Sequence, residues 1–349
     1  MGLVMEQLLA FDDVLLVPQY SKVLSRDDIS LTTRIGITEY KLPIMSSPMD
    51  TVTEHRMASA IHQAGGLGVI HRYNTIEEQI VLFQASGGTA ACAIGATGDY
   101  EERAAALIEA GCNTLCIDVA HGHHVLVELV CEYLRKEFPD IILIAGNVAT
   151  SSGYLHLASC GVDAVRVGLG CGAACKTRAV SGHGVPQLSA IMEIHKTRIA
   201  ASARLGMNPN YLPVVIADGG IRSSADAVKA FAAGADWIML GSMLAGTEES
   251  PGEALTVYDK KCKPYRGMAS PEAQMGWQGK VRSIEGIATY VPYKGDVKDT
   301  LDSLAFQIKG GLSYSGCLNL EEFRTRAQFI RITQAGYTEG TPHILDDAY

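Results

Sequence analysis

One loop of this chain combines the features of a nucleophile with those of an ion site. Residues 165–178 read VRVGLGCGAACKTR, an apolar strand followed by a glycine-rich loop that ends on Cys175 and two basic residues. Glycines leave backbone amides and carbonyls uncovered, so such a loop can wrap an ion or a phosphate and expose a thiol. The alternative is a buried structural cysteine, a common fate of free thiols. Because Lys176 and Arg178 favour the thiolate form, the pattern predicts that Cys175 is a nucleophile.

Polar residues also follow several other apolar runs of the chain. Asp118, Asn147 and Asp218 each stand where such a run ends, and glycines follow at Gly219-Gly220 and at Gly241 before Ser242. Glycine amides next to the start of a helix form a favourable phosphate site. We therefore expect a phosphorylated ligand, held locally.

These residues need a scaffold that brings strand ends together, and the apolar pattern predicts one. Short apolar runs alternate with segments of helical periodicity, which is typical of a parallel sheet covered on both faces. Eight such units predict an α/β fold, a closed (β/α)8 TIM barrel, whose site lies at the carboxyl ends of the strands. The predicted strands are Pro43–Ser47, Leu67–His71, Ala90–Gly95, Thr114–Asp118, Ile141–Ala145, Ala164–Gly168, Val214–Ala217 and Trp237–Gly241. The predicted helices lie near 53–64, 75–86, 100–110, 122–138, 150–160, 186–204, 223–233 and 251–260.

The pattern becomes irregular after residue 260. We interpret about 262–295 as an active-site flap and about 296–349 as a C-terminal segment with a helix near 319–328. The whole chain, 1–349, is predicted to be a single catalytic domain with no inserted regulatory domain.

Composition and charge restrict the class of protein. The net charge of −9 and the scattered basic residues argue against a nucleic-acid partner. No apolar run reaches the length of a membrane span, so no membrane partner is expected. The nine cysteines form no CxxC pair, and no signal segment stands at the N-terminus. These features predict a soluble, cytoplasmic protein.

The chain resembles the inosine monophosphate dehydrogenase and guanosine monophosphate reductase family over nearly its whole length. The resemblance rests on five segments in the same order: Phe11–Pro18, Ser46–Glu54, Ala145–Thr150, Asp218–Arg222 and Met239–Glu249. It implies a purine nucleoside monophosphate substrate and attack of Cys175 on purine C2 to form a covalent thioimidate.

The resemblance also implies ligand roles for particular residues. Asp218 would bind the ribose, and the other nucleotide contacts would be Ser47, Met49, Gly219, Gly220, Gly241, Ser242, Tyr265, Gly267, Met268, Arg282 and Gly286. A nicotinamide cofactor would lie against Arg72, Asp118, Val119, Ala120, Asn147, Gly168 and Leu169. Carbonyls of Gly170, Gly172 and Cys175 would hold a potassium ion, and a homotetramer is implied.

The flap favours the reductase branch of the family. It is short and lacks the Arg-Tyr dipeptide that the dehydrogenases use to hydrolyse their intermediate. Thr177 and Glu285 match the pair that protonates the leaving ammonia in the reductases. We therefore expect an NADPH-dependent GMP reductase that converts GMP, or a close analogue, to IMP and ammonia. A solvated flap carboxylate is the alternative interpretation of Glu285.

Other features keep different functions open. The run Ile70–Arg72 and the tail 329–340 resemble the dehydrogenases, so an NAD-dependent oxidation of IMP to XMP is the first alternative. Ala173 replaces the family's phosphate-contacting serine, which suits either a modified nucleotide or an inactive nucleotide-binding protein. Arg72 and Lys309 are candidates for the extra phosphate of NADPH, and the choice between NADPH and NAD stays open.

Overall fold

The computed structural model describes residues 7–340, which contain a closed barrel of eight parallel strands. The strands are β1 (Ile44–Ser46), β2 (Leu67–Ile70), β3 (Ala91–Ile94), β4 (Thr114–Asp118), β5 (Ile142–Val148), β6 (Ala164–Val167), β7 (Val214–Asp218) and β8 (Trp237–Leu240). They pair in chain order, and β8 closes on β1 with Met239 opposite Met45. The predicted (β/α)8 barrel is confirmed, with strand ends that differ by at most a few residues.

Helices lie on the outside of the barrel; seven connect successive strands, and the eighth follows the last strand and the flap. They are α1 (His55–Gln63), α2 (Ile76–Ala85), α3 (Tyr100–Glu109), α4 (Val125–Glu137), α5 (Ser151–Ser159), α6 (Gln187–Leu205), α7 (Ser224–Ala233) and α8 (Val297–Tyr314). Hydroxyl N-caps explain several starts, because the side chains of Thr75, Thr150 and Ser223 accept amide hydrogen bonds in the first turn. The first seven predicted helices are confirmed.

The eighth predicted helix, at 251–260, is wrong. Leu255–Val257 and Lys260–Arg266 are antiparallel strands joined by a tight turn at Tyr258 and Asp259, which both have positive φ. Lys260–Arg266 also pairs with Ala288–Pro292, so the region forms a three-stranded sheet at the base of the flap. The helix after β8 is α8, which follows the flap.

Two apolar clusters stabilise the fold. One fills the barrel interior and includes Met45, Ile144, Ile216 and Trp237, all buried. The larger cluster lies between the strands and the surrounding helices. This arrangement makes each barrel strand apolar on both faces, which is why the strands could be recognised from continuous apolar runs.

Additional segments pack around the barrel. A hairpin of Thr33–Ile35 and Thr38–Tyr40 packs on the interior cluster, and Val14–Leu16 pairs with Phe329–Arg331. The helix predicted near 319–328 is present as Leu320–Arg326, whereas residues 341–349 of the predicted C-terminal segment lie outside the described residues. Between residues 7 and 340, no helix has both the length and the apolar character that crossing a bilayer requires.

Candidate active site

A cavity of about 730 Å³ opens at the carboxyl ends of the strands and is partly covered by the flap. Apart from Lys309, the residues that the sequence placed in a catalytic, nucleotide, cofactor or ion role all line it. They are Ser47, Met49, Arg72, Asp118, Val119, Ala120, Asn147, Gly168, Leu169, Gly170, Gly172, Cys175, Thr177, Asp218, Gly219, Gly220, Gly241, Ser242, Tyr265, Gly267, Met268, Arg282, Glu285 and Gly286. The fold therefore brings segments from the whole barrel into one space.

Arg178 holds the loop that carries Cys175. Its Nε donates to the carbonyl of Leu169 at 3.3 Å, and its Nη2 donates to the carbonyl of Val185 at 2.6 Å. Its stem packs on Gly170, where a Cβ would lie 2.5 Å from Arg178 Cγ. Arg178 thus maintains the loop's shape, a structural role that the sequence analysis did not assign to it.

The Cys175 thiol is exposed to the cavity and lies beside Thr177. Its Sγ is 3.1 Å from Thr177 Oγ1, and the Thr177 amide points to the sulfur at 3.4 Å. Cys175 also pairs with Gly286 of the flap in an antiparallel bridge, and the Lys176 amide donates to the Glu285 carbonyl at 2.6 Å. Cys175 therefore contacts Thr177 directly, and backbone bonds join the Cys175 loop to the flap segment that carries Glu285.

The second cysteine of the loop has a different environment. Cys171 Sγ lies 3.4 Å from both the Gln187 Oε1 atom and the Asp218 carbonyl oxygen. Burial raises the pKa of the Cys171 thiol to about 12, so this thiol stays protonated at neutral pH. Both cysteines line the cavity, but the Cys171 thiol is hydrogen-bonded to Gln187 and Asp218, whereas the Cys175 side chain is exposed.

Arg166 lies at the centre of the site, and the sequence analysis missed it. Its guanidinium donates to Asp118 at 2.6 Å and to Asp218 at 2.8 and 3.1 Å. Burial alone would lower the pKa of Arg166, but the two carboxylates raise it well above its usual value. Gly146 makes room for the side chain, since a Cβ there would lie 2.5 Å from Arg166 Cβ. An arginine within an otherwise apolar strand was the available signal.

Asn147 completes this polar centre. Its Nδ2 donates to Asp218 Oδ2 at 2.7 Å and to the Gly168 carbonyl at 3.0 Å. Asp118, Arg166 and Asp218 are thus linked across β4, β6 and β7. The network fixes both carboxylates at the cavity wall, where a ligand with hydroxyl groups can donate to them.

The glycine-rich ends of β7 and β8 form another part of the wall. The amides of Ser242 and Met243 donate to no acceptor within the part of the chain that is described, and the carbonyls of the same residues accept from Lys294 Nζ at 2.8 and 3.0 Å. Tyr265 lies beside Ser242, and burial raises the pKa of its phenol to about 12. Free amides and a protonated phenol are donors suited to a phosphate.

The flap contacts the Cys175 loop through its backbone. The Ile287 amide donates to the Ala174 carbonyl at 3.0 Å, and the Gly267 amide donates to the Ile287 carbonyl at 2.9 Å. Tyr73 fastens the flap to the barrel, because its hydroxyl donates to the Met268 carbonyl at 3.0 Å. The flap residues predicted to contact nucleotide therefore face the predicted nucleophile.

Arg72 lies at the side of the cavity near Asp118. Its Nε donates to the Asp118 carbonyl at 3.3 Å, and its guanidinium lies 5.4 Å from the Tyr73 ring centre. Arg72 forms no ion pair with any residue from 7 to 340. Such a guanidinium suits an anionic ligand. Lys309, the other candidate for a cofactor phosphate, lies on α8 and does not line this cavity.

Comparison with known proteins agrees with this architecture. A family model described as the IMP dehydrogenase / GMP reductase domain matches residues 8–343. The inosine-5'-monophosphate dehydrogenase of Nitrosopumilus maritimus is 34% identical, over 96% of this chain and 98% of that protein. The corresponding enzyme of Borreliella burgdorferi is also 34% identical, over 97% of each chain. The crystal structure of a cysteine-to-alanine variant of Trypanosoma brucei GMP reductase, in complex with guanosine 5'-monophosphate, superposes with a TM-score of 0.90 at 27% identity, over 97% of this chain and 98% of that one.

The barrel and its cavity, with these matches, define a (β/α)8-barrel oxidoreductase fold. Among such proteins, this chain belongs to the IMP dehydrogenase / GMP reductase family, as its motifs indicated. The family acts in nucleotide metabolism and uses nicotinamide cofactors.

Proposed function

We propose that this protein is an NADPH-dependent GMP reductase. Its reaction would convert GMP, NADPH and two protons to IMP, ammonium and NADP⁺. The observation that supports the proposal is the contact of Cys175 with Thr177 and with the flap segment next to Glu285, in a short flap without an Arg-Tyr dipeptide. The thiol lies beside the Thr177 hydroxyl, the segment that carries Glu285 bonds to the same loop, and the flap lacks the pair expected for hydrolysis.

In this proposal Cys175 attacks purine C2 and forms the covalent adduct. The C2–N bond then breaks, and Thr177 with Glu285 delivers the proton that lets ammonia leave. Asp218 would accept hydrogen bonds from the ribose, while the Gly219-Gly220 and Gly241-Ser242 turns and Tyr265 would hold the phosphate. Loss of one hydroxyl contact at Ala173 would weaken binding by about 0.5–1.5 kcal/mol, which still permits a nucleotide ligand.

The residues around Arg72 fit a nicotinamide dinucleotide. The cofactor, when bound, would supply a hydride to purine C2, and departure of the Cys175 sulfur from C2 would release IMP and restore the thiol. Asp118, Asn147 and the Gly168-Leu169 turn would orient its reactive end, and the unpaired guanidinium of Arg72 would face one of its phosphates. The extra phosphate of NADPH is the group that we assign to Arg72.

The Cys175 loop fits a potassium ion. The candidate ligands are carbonyl oxygens of Gly170, Gly172 and Cys175, and a set of neutral carbonyls suits a large, weakly hydrated cation better than magnesium. The Gly172 carbonyl also accepts from the Cys175 amide at 3.0 Å, which leaves it a second lone pair. Such an ion would stabilise the loop that carries the thiol.

IMP dehydrogenase is the second candidate, favoured by the names of the curated relatives. The two activities separate in one assay with potassium buffer, in which absorbance of the reduced nicotinamide is followed. GMP with NADPH should give a fall in absorbance and stoichiometric ammonia. A rise with IMP and NAD would refute the reductase proposal in favour of the dehydrogenase.

Cys175→Ala distinguishes an enzyme from a nucleotide-binding protein. Turnover should vanish while GMP still binds, measured by calorimetry. Cys160→Ala is the matched control, because Cys160 ends α5 on the outside of the barrel and does not line the cavity. Equal rates for wild type and Cys175→Ala would refute the covalent mechanism, and GMP binding without turnover in wild type would indicate an inactive nucleotide-binding protein.

We also propose that the chain forms a single catalytic domain and a homotetramer. The alignment to the Nitrosopumilus maritimus enzyme spans 476 positions, more than the 349 residues of this chain, so that relative contains residues without a counterpart here. This supports the lack of an inserted regulatory domain. Light scattering on the purified protein measures the assembly, and a monomeric mass would refute the tetramer.

A further inference from the structure

The flap has two arms, and one side chain joins them. The first arm continues from Lys260–Arg266 to Ser270, and the second returns through residues 281–287; between them lies a helix, Pro271–Gln278. Gln274 stands in the middle of this helix and is only 8% exposed. It lines the cavity, but the sequence analysis assigned it no role.

The Gln274 amide bonds to the backbone of both arms. Its Nε2 donates to the Ala269 carbonyl at 3.0 Å and to the Ser283 carbonyl at 2.5 Å. Its Oε1 accepts from the Arg282 amide at 3.0 Å. Of the flap side chains that the structure describes, no other hydrogen-bonds to both arms. The helix is thereby attached to the arm that leads into Glu285.

Two of the residues that Gln274 binds, Ala269 and Ser283, also contact Glu285 directly. The Ala269 carbonyl, which Gln274 binds, also accepts from the Glu285 amide at 3.2 Å. Ser283, which Gln274 holds through its carbonyl, donates from Oγ to Glu285 Oε1 at 3.2 Å. Glu285 is therefore attached at its amide and its carboxylate to residues that Gln274 fixes, while its carbonyl binds the Lys176 amide of the Cys175 loop.

We infer that Gln274 is a positioning residue, which sets the Glu285 carboxylate for proton transfer beside Cys175 and Thr177. The inference rests on the proposed function, since it assigns Glu285 a role in catalysis. A proton donor must lie within hydrogen-bond reach of the atom it serves, and a short exposed arm would otherwise sample many conformations. The three bonds of Gln274 restrict the arm without contacting the reacting atoms.

Gln274→Met tests the inference, because methionine keeps the length of the side chain and removes all three hydrogen bonds. We expect kcat for ammonia release to fall about 10- to 100-fold, which is part of the roughly 10²- to 10⁴-fold that a general acid contributes, because Glu285 itself is retained; KM for GMP should change less than about twofold. Gln307→Met is the matched control, since Gln307 is exposed on α8 and its side chain bonds, among residues 7–340, only to Ser303 one turn away.

A double-variant cycle separates positioning from general damage. If Gln274 acts through Glu285, adding Gln274→Met to Glu285→Gln should lower kcat by less than about twofold further. A full multiplicative loss, or an unchanged kcat in the single variant, would overturn the inference. Absence of ammonia release from wild type would instead refute the proposed function, so the two failures are distinguishable.

Tryptophan fluorescence tests, independently of catalysis, whether Gln274 restrains the flap helix. The chain has two tryptophans; Trp237 is fully buried, and Trp277 lies on the flap helix, stacked 5.8 Å from Tyr73. Loosening of the helix in Gln274→Met should increase quenching of Trp277 by acrylamide about twofold, with no change in Gln307→Met. Identical quenching in Gln274→Met and wild type would overturn the inference.

Discussion

Replacement of Arg166 by methionine tests the polar centre of the barrel. The Arg166 side chain is 6% exposed, and its partners Asp118 and Asp218 are 18% and 13% exposed. Removing one partner of a buried ion pair costs roughly 3–5 kcal/mol, because the remaining charge is left uncompensated. Asn147 still donates to Asp218 and some water reaches both carboxylates, so the lower end applies, about 3 kcal/mol.

Urea unfolding, followed by circular dichroism and by tryptophan fluorescence, measures this loss. A decrease of about 3 kcal/mol lowers the folding equilibrium constant roughly 150-fold and moves the midpoint to lower urea. The stability of Arg166→Lys should lie between those of wild type and Arg166→Met, since one ammonium cannot reproduce the planar guanidinium that reaches both carboxylates. We also expect weaker nucleotide binding, because Asp218 loses its orientation.

Arg56→Met is the control for the loss of an arginine as such. Arg56 pairs with Glu248 at 3.2 Å, but both side chains are about half exposed, and pairs of this kind contribute about 0–1 kcal/mol. If Arg166→Met loses no more stability than Arg56→Met, then the Asp118–Arg166–Asp218 network does not stabilise the barrel and the reasoning is refuted.

Three further predictions concern other parts of the molecule. Burial alone would raise the pKa of Asp236, but Arg198 and Arg324 lower this pKa below its usual value. The carboxylate therefore stabilises the fold most at neutral pH. The difference in unfolding free energy between wild type and Asp236→Asn should be largest there and decrease as the pH falls below about 4. A difference that stays constant in urea titrations at pH 7 and pH 3 would contradict this. Tyr265→Phe should raise KM for the nucleotide about 2- to 10-fold with kcat nearly unchanged, and steady-state kinetics with an unaltered KM would exclude Tyr265 from phosphate binding. Gly168→Ala should lower Tm more than Gly98→Ala. Both glycines have positive φ, but of these two only Gly168 would place a Cβ against a carbonyl oxygen, that of Asp218 at 2.0 Å. Equal melting temperatures in calorimetry would show that the loop relaxes without cost.

The barrel and most of its cavity could be predicted from local sequence. A parallel strand that is buried on both faces reads as a continuous apolar run, so the eight strands and the first seven helices were visible without tertiary information. Because active-site residues of a barrel follow the strand ends, Asp118, Asn147, Cys175 and Asp218 could be placed at one mouth. The glycine-rich motifs next to these residues are short, and each lies within one continuous segment of the chain.

The flap region was predicted less well, because its structure depends on distant pairing. The segment predicted as a helix at 251–260 forms strands instead, since Lys260–Arg266 pairs with Ala288–Pro292 further along the chain. The helix α8 was missed because Gly310 and Gly311 resemble a helix break. Gly311 is required there by close packing, as a Cβ would lie 2.6 Å from Val228 on α7.

The barrel, the order of its segments and the residues at its mouth can thus be predicted from the sequence, because each depends on periodicity or on a contiguous motif. How those residues contact one another depends on the tertiary fold. Arg166 contacts Asp118 and Asp218 because closure of the barrel brings three strand ends within reach of one guanidinium. Gln274 contacts the second arm of the flap because a helix folds back onto it. Such contacts join residues far apart in the chain, and no local pattern encodes them.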